Sequence, residues 1–170
     1  MADKGIISKG AAGEQSTIQG SIYAGLLPDN QQNEKKNRSI LVENSTDLNV
    51  SSGDKIVAEG TIDVGLNSSF STGTTVNLWA KGLNADSVKL VDLKGSTYFA
   101  DDLTITGRNN NVTLSGNYYG YGSTDSALDS NCRFSDAYRT STDADLSSAI
   151  TINGKNTILD LSGLQKLMLA

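Results

Sequence analysis

The stretch Leu103–Gly116, which reads Leu-Thr-Ile-Thr-Gly-Arg-Asn-Asn-Asn-Val-Thr-Leu-Ser-Gly, contains one five-residue unit twice, nine residues apart. In both copies two apolar residues flank a polar one, and a polar residue and a glycine follow. This alternation is typical of a β-strand whose apolar side chains share one face. Glycine and asparagine accept the positive φ of a tight turn, so the unit predicts a short strand that ends in a corner.

Copies of this unit recur along the chain. Ile150–Gly154 and Leu159–Gly163 repeat the pair with the same spacing of nine residues, and looser copies begin at Ser16, Ile56 and Val91. A unit of this size cannot bury its own apolar face. The recurrence therefore predicts that the copies stack on one another.

A second unit follows several of these glycines and ends in alanine. Its copies are Ile22-Tyr23-Ala24, Leu78-Trp79-Ala80 and Tyr98-Phe99-Ala100. Ala80 and Ala100 are separated by about 20 residues, and so are Val91 and Val112. Three short strands with three corners fit into a length of this order, which is that of one coil of a solenoid.

The repeat therefore predicts an all-β fold, a single-stranded right-handed parallel β-helix with about 20 residues per coil. An antiparallel sandwich or barrel also has short alternating strands and is the competing interpretation. The recurrence of one unit in register favours the solenoid.

The pattern also divides the chain into segments. Residues 1–15 are predicted to be a flexible leader, and residues 16–170 the β-helix domain. Within that domain we predict a polar loop at 28–39 and a long insertion at 123–147, after which the repeat resumes at Ser148. In repeat proteins such insertions often carry binding functions, so we expect either a binding segment here or a loop that shields one side.

Composition and charge narrow the classes of partner. The formal net charge of −5 argues against nucleic acid, whose phosphates need a basic face. The first residues contain no apolar run, so neither a signal peptide nor a membrane span is predicted in this chain. The largely apolar stretch 164–170 lacks a polar tail. From it we expect a longer parent chain, and self-association through an exposed last coil.

Residues typical of catalytic and metal sites are scarce in the sequence. It contains no histidine, and Cys132 is its single cysteine, which excludes a histidine-based triad and a cysteine metal site. On a strand, Asp101 and Asp102 would face opposite sides and could not flank one bond. The acidic insertion lacks the ligand spacing of a calcium-binding loop. We therefore predict no enzyme activity, no cofactor and no bound metal.

The densest aromatic cluster is a first candidate for binding a surface partner. It consists of Tyr118, Tyr119 and Tyr121. Alternation along a strand would place Tyr119 and Tyr121 on one face and Tyr118 on the other. Amphipathic rings suit contacts with sugars or proteins, although the same rings could instead stack between coils.

A second candidate group lies in the insertion and consists of Arg133, Asp136 and Arg139. A polysaccharide lyase needs a basic residue beside acidic ones, and these three residues are the grouping that offers both. The same charges could bind a glycan without cleaving it.

Two stretches of the sequence resemble a known family. Gly116-Asn-Tyr-Tyr-Gly-Tyr-Gly122 and the repeat from Ser148 to Ala170 are similar to the β-helical region of Gram-positive type IV pilus-associated proteins of the PilX type. The resemblance covers about residues 55–170 and implies a minor pilin or surface-fibre component, extracellular and non-enzymatic. Members of that family carry an N-terminal hydrophobic helix, which is not found in this chain.

These observations lead to one expected function and two alternatives. We expect a non-enzymatic extracellular structural or adhesive module that displays loops on a rigid β-helix to a protein or glycan at the cell surface. The first alternative is a cytoplasmic polymer-forming scaffold of the bactofilin kind, which would assemble through its end coils. The second is a carbohydrate-binding or polysaccharide-cleaving β-helix.

Overall fold

A computed structural model describes residues 5–9, 15–20, 22–24, 39–51, 53, 55–58, 60–121 and 148–169. Within these ranges the chain is all-β, with sixteen strands and no helix. The strands form two curled sheets, one of six strands and one of ten. Every pair of neighbouring strands in these ranges runs parallel. An antiparallel sandwich or barrel is therefore excluded for this part of the chain.

Successive strands fall into three columns, and up to β13 each column takes every third strand. The first column is the six-stranded sheet: β1 (Gly5–Ser8), β4 (Ser39–Val42), β7 (Ile62–Val64), β10 (Leu83–Asp86), β13 (Leu103–Thr106) and β15 (Ile150–Ile152). The second column holds β2 (Gln15–Ile18), β5 (Asp47–Val50), β8 (Ser69–Thr72) and β11 (Leu90–Leu93). The third holds β3 (Ile22–Ala24), β6 (Lys55–Ala58), β9 (Asn77–Ala80) and β12 (Thr97–Phe99).

Two long strands join the second and third columns into the ten-stranded sheet. β14 (Asn111–Gly120) pairs with β11 through its first half and with β12 through its second half. β16 (Ile158–Leu169) then pairs with β14 along its whole length. The positive φ of 68° at Gly116 lies where β14 passes from one column to the next. Glycine has no Cβ to oppose this conformation, so the strand can bend there without strain.

The strand register shows whether residues that are equivalent in the sequence repeat lie opposite each other. The predicted copies starting at Leu103 and Ile150 lie opposite each other, and Val112 lies opposite both Val91 and Leu159, as their equivalence requires. The predicted equivalence of Ala80 and Ala100 is wrong by one residue, because Ala80 lies opposite Phe99.

One looser copy of the repeat belongs to a different column. The unit at Ile56 forms β6 and pairs with the third column, not with the strands it resembles. The apolar alternation alone does not distinguish the columns, because all three strands of a repeat need apolar residues on the same inner face.

Alternation along each strand places one row of side chains inside. In β4, β5, β9 and β11 every second residue is buried, and these side chains form one continuous apolar core. Its largest completely buried members are Phe70, Phe99 and Tyr118. The apolar–polar–apolar unit therefore has the predicted inward and outward faces.

The corner between the first two columns is built from residues with positive φ. They occupy similar places after five of the six strands of the first column, β4, β7, β10, β13 and β15: Ser45, Asn67, Ser87, Asn109 and Asn156, with φ between 51° and 58°. Asparagine tolerates this conformation better than most residues, which explains three of the five positions. Asn110 follows directly and is buried. Its Oδ1 accepts a hydrogen bond from the backbone N–H of Val88 at 2.9 Å.

Within the predicted leader 1–15, Gly5–Ser8 forms the strand β1. Ile6 packs against the apolar core, and the Ser8 carbonyl accepts a hydrogen bond from the Glu43 N–H at 3.1 Å. Gln15, at the end of the predicted leader, already belongs to β2. The edge of the neighbouring strand β4 supplies the backbone partners that a four-residue strand cannot provide for itself.

The insertion 123–147 and most of the loop 28–39 lie outside the described residues, as do Cys132, Arg133, Asp136 and Arg139. Ser39, the last residue of the predicted loop, begins β4. The strands resume with β15, as the repeat at Ile150 predicts. No described segment forms a helix long and apolar enough to cross a membrane.

Candidate functional site

The outer face of the third column carries a line of aromatic side chains, which we call the aromatic row: Trp79, Tyr98, Tyr119 and Tyr121. Tyr98 lies opposite Trp79 on β9 and opposite Tyr119 on β14. Their neighbours along each strand, such as Leu78, Phe99 and Tyr118, point into the core. The parallel register therefore lines up three rings that come from the three neighbouring strands β9, β12 and β14.

The rings of the aromatic row stack face to face. The centroids of Trp79 and Tyr98 are 4.7 Å apart with planes at 5°, and those of Tyr98 and Tyr119 are 5.0 Å apart at 12°. These distances are close to the separation of neighbouring strands, so the backbone ladder sets the stacking. Tyr121 extends the row at 6.3 Å from Tyr119 with planes at 8°.

The stacking decides which ring surfaces are free. Both faces of Tyr98 are covered by its neighbours, so this ring can offer a partner only its edge and hydroxyl. Tyr121 is nearly buried and packs with Ala100. Trp79, Tyr98 and Tyr119 are half-buried, which leaves their outer edges in contact with solvent.

Charge is present at one end of the aromatic row. The ammonium of Lys166 lies 5.5 Å from the centroid of the Tyr119 ring, a distance at which a cation and a ring attract each other. Met168 packs against the same cluster from β16. An anionic or hydroxyl-rich partner would therefore meet a cation and tyrosine hydroxyls at this end.

Tyr118 occupies the opposite face of its strand from Tyr119 and Tyr121, as alternation predicts. Its ring is completely buried and meets Phe99 edge to face, with centroids 5.6 Å apart and planes at 89°. Burial raises the pKa of the Tyr118 phenol, and the nearby Asp102 carboxylate raises it further. The structure therefore places Tyr118 in the core, away from any surface that a partner could reach.

Asp101 and Asp102 lie in a bend between β12 and β13 and not on a strand. Asp102 Oδ1 accepts a hydrogen bond from the Ala149 N–H at 2.7 Å, and the Ser148 hydroxyl donates to the Asp101 carbonyl at 2.9 Å. Desolvation raises the pKa of Asp101, and the charge of Asp102 adds to this shift. These two hydrogen bonds connect Ser148 and Ala149, just before β15, to the bend that precedes β13.

Metal-binding side chains do not converge within the described ranges. These ranges contain no cluster of three or more Cys, Asp or Glu residues able to hold an ion. The insertion, which carries the predicted Arg133, Asp136 and Arg139 group, is outside these ranges, so a role for these residues stays a prediction.

Sequence reasoning misses two members of the aromatic row and its cation. It groups Trp79 and Tyr98 with the copies of the second unit and not with the tyrosine cluster. The available signal is the recurrence of an aromatic residue once in each sequence repeat. The strand pairing places Trp79, Tyr98 and Tyr119 opposite one another. Lys166 gives no signal, because its contact with Tyr119 depends on the irregular pairing of β16.

Comparisons of the chain with protein-family models, with curated proteins and with solved structures found no match. The aromatic row and the parallel ladder are therefore the observations from which a function can be argued.

Proposed function

We propose that the chain is a right-handed parallel β-helix that serves as a non-enzymatic structural or adhesive module at the cell surface. The observation that carries this proposal is the three-column parallel ladder. In the first column Ile40, Ile62, Leu83 and Leu103 follow one another in register, one from each successive coil. Parallel strands joined by crossovers are almost always right-handed, which supports the hand of the coil.

A ladder of this kind has the properties that a scaffold needs. Each inner strand is hydrogen-bonded on both sides, and its inner side chains belong to one continuous core. Outer side chains repeat at the strand spacing, so groups on the surface are held in fixed lines. Side-chain hydrogen bonds between neighbouring strands show the same alignment in the other two columns. Asn84 donates to Asp63 at 2.8 Å, and Ser71 donates to Asn49 at 3.0 Å.

The surface location rests on the resemblance to pilus-associated β-helical proteins, and a labelling experiment tests it. Antibodies raised against the purified chain are applied to intact and to permeabilised cells of the source organism. We expect labelling of intact cells, concentrated on surface fibres. Labelling that requires permeabilisation would contradict the proposal and favour the cytoplasmic polymer-forming alternative.

A second candidate function, glycan binding, is favoured by the aromatic row with Lys166 at one end. Because the ring faces cover one another, the row would bind a glycan through tyrosine hydroxyls and ring edges more than by ring-on-sugar stacking. Binding of the chain to immobilised neutral and acidic polysaccharides tests this function. We expect Tyr119→Ala and Lys166→Ala to reduce retention, with Thr104→Ala on the outer face of the first column as control.

The same polysaccharide panel distinguishes binding from cleavage. It also distinguishes binding by the aromatic row from binding by the insertion 123–147. Loss of retention only in Arg133→Ala and Arg139→Ala would assign binding to the insertion. Shortening of an acidic polysaccharide, abolished by those two substitutions, would contradict the non-enzymatic proposal.

A further inference from the structure

Two tyrosines of the aromatic row lie in register on neighbouring strands. Tyr98 of β12 and Tyr119 of β14 are ladder partners, and their ring centroids are 5.0 Å apart with planes at 12°. Side chains at partner positions of parallel strands point the same way, so the two hydroxyls lie at the same outer end of the pair. Both rings are half-buried, which leaves these ends in contact with solvent. The ladder therefore holds two phenols next to each other where a dissolved reagent can reach them.

The surroundings of this pair single out Tyr119 as the phenol nearest to Tyr98. The second face of Tyr98 is covered by Trp79, whose ring centroid is 4.7 Å away. Tyr118 is completely buried on the inner face. Tyr121 lies further from Tyr119, at 6.3 Å, and only 3% of it is accessible. Among the described side chains, Tyr98 and Tyr119 are therefore the two tyrosines that are both close together and open to solvent.

Phenols held in this way can be joined by oxidation. A one-electron oxidant removes one electron from each phenol, one proton leaves to water, and two tyrosyl radicals result. The radicals couple through the ring carbons next to the hydroxyl-bearing carbons. The hydrogens on the coupled carbons then move to the phenol oxygens, so both hydroxyls are restored. The pair loses two electrons and two protons in all, which one molecule of hydrogen peroxide accepts as it becomes two molecules of water.

The strand ladder favours coupling within the pair over coupling between molecules. In the bonded product the two rings lie edge to edge, with their centroids slightly closer than the present 5.0 Å. Rotation of each ring about its Cβ–Cγ bond turns the stacked pair into this arrangement, and this torsion is soft in tyrosine. The backbone can stay in place, because the strand separation is already of the required size. Groups held at such a distance meet at a far higher effective concentration than groups on two separate molecules.

We propose that Tyr98 and Tyr119 form an intramolecular dityrosine bond when the chain meets hydrogen peroxide and a haem peroxidase. The bond ties β12 to β14 on the outer face of the third column and closes the chain from Tyr98 to Tyr119 into a covalent loop. Like a disulfide, such a cross-link stabilises a fold mainly by restricting the unfolded chain. The inference goes beyond the proposed function, because it depends on ring geometry and not on where the chain resides. Surface labelling and cross-linking can therefore fail independently.

Treatment of the dilute full-length chain with a haem peroxidase and hydrogen peroxide tests the proposal. A Cys132→Ser background removes thiol oxidation as a competing reaction. We expect dityrosine fluorescence and a mass lower by two hydrogen atoms, in a product that still migrates as a monomer. Trypsin separates Tyr98, in the peptide 95–108, from Tyr119, in the peptide 109–133. After oxidation the two peptides should remain joined, and fragmentation should place the link at these two tyrosines.

Conservative variants assign the bond to this pair. Tyr98→Phe and Tyr119→Phe each keep the stacked ring but remove one phenol, and each should reduce the dityrosine yield by about tenfold or more. Tyr121→Phe removes a phenol from the same row and is the matched control, which should leave the yield nearly unchanged. Urea unfolding midpoints of the untreated variants are compared, so that a loss of yield through a disturbed fold is recognised as such.

The stability of the oxidised chain provides a second measurement. The cross-linked chain should unfold about 5–10 °C above the untreated chain, and oxidised Tyr98→Phe should show no such rise. Dityrosine that is absent, or present only in species larger than a monomer, would overturn the proposal. So would a link between Tyr98 and Trp79 or between Tyr119 and Tyr121, or a yield that none of the three variants changes.

Discussion

The inner strands of the two sheets and the strands β15 and β16 are built from the same sequence unit but differ in burial. Leu103 and Ile105 of β13 are completely buried between β10 and β15, whereas their copies Ile150 and Ile152 are half-buried and exposed. Tyr118 and its partner Leu167 differ in the same way. The unit therefore determines which side chains point inward, and the neighbouring strands determine how much those side chains contribute to stability.

The largest expected effect comes from deleting the same side chain in the two places. Ile105→Ala should cost about 3–4 kcal/mol of the free energy of unfolding, because it leaves a cavity in a closed core. Ile152→Ala should cost about 1 kcal/mol, since much of that side chain is already in water. Urea unfolding of both variants measures the difference, and equal losses would contradict the view that stacking determines burial energy.

A smaller difference is expected when a methyl group is added to a glycine. In Gly95→Ala the new Cβ would overlap the Val76 carbonyl oxygen, and this backbone atom cannot move aside. The substitution should cost about 2–3 kcal/mol. In Gly163→Ala the nearest atom is the Ser115 hydroxyl, at 2.7 Å, which can rotate away. Its unfolding temperature should fall clearly less than that of Gly95→Ala, and the reverse order would be inconsistent with the corner geometry.

A substitution at the buried corner residue Asn110 should have a smaller effect on the free energy of unfolding. Asn110→Ala leaves the Val88 N–H without its acceptor and removes the bond from Asn110 Nδ2 to the Thr106 carbonyl at 2.7 Å. We expect a loss of about 1–2 kcal/mol in urea unfolding. Asn84→Ala serves as the matched control. It removes the hydrogen bond that the Asn84 side-chain amide donates to Asp63, but on an exposed face. A similar loss in both variants would show that burial of the corner is unimportant.

The smallest expected effect is a dependence of stability on pH. Asp47 accepts hydrogen bonds from Lys89 Nζ at 2.8 Å and Ser69 Oγ at 2.6 Å. The bond from Lys89, followed by that from Ser69, holds the pKa of Asp47 below its ordinary value of 3.8. The folded-state pKa is thus the lower one. The stabilisation is complete above 3.8 and is lost as the pH falls through the folded-state pKa.

Lys89→Met tests this pH dependence. It should lower the free energy of unfolding by about 0.5–1 kcal/mol near neutral pH and make little difference in strong acid. Urea unfolding midpoints of both proteins as a function of pH provide the comparison. A constant difference across the acid range would show that Lys89 acts through packing, not through the Asp47 carboxylate.

The parts of the fold that depend on local alternation can be predicted from the sequence. Pattern alone identifies the copies at Leu103 and Ile150, and the structure places them side by side. β1 cannot be found in this way, because Ile6 and Ile7 are adjacent and their strand is ordered by the edge of β4. The equivalence of Ala80 and Ala100 fails because register follows the face of each side chain rather than residue identity.

The candidate site is harder to predict than the fold. Tyr119 and Tyr121 are found because they lie close together in the sequence, and their shared face is confirmed. Trp79 and Tyr98 reach the same surface only through the pairing of β9, β12 and β14, in which the spacing of partners changes slightly from coil to coil. These small changes in spacing depend on the geometry of the corners. A repeat whose length is only approximate does not reveal them.

The interval between β13 and β15 has a consequence for how such a chain can change over evolutionary time. Leu83 and its partner Leu103 are separated by a chain of the usual length for this ladder. The chain from Leu103 to its next partner Ile150 is more than twice as long, yet both pairs lie in register. Doubling the length of the chain between two paired strands costs only about 0.6 kcal/mol in closure entropy. New sequence can therefore be gained or exchanged between the end of β14, which lies within this interval, and the start of β15 at little cost to the pairing on either side. The segment 122–147 is thus the natural place to graft a foreign peptide.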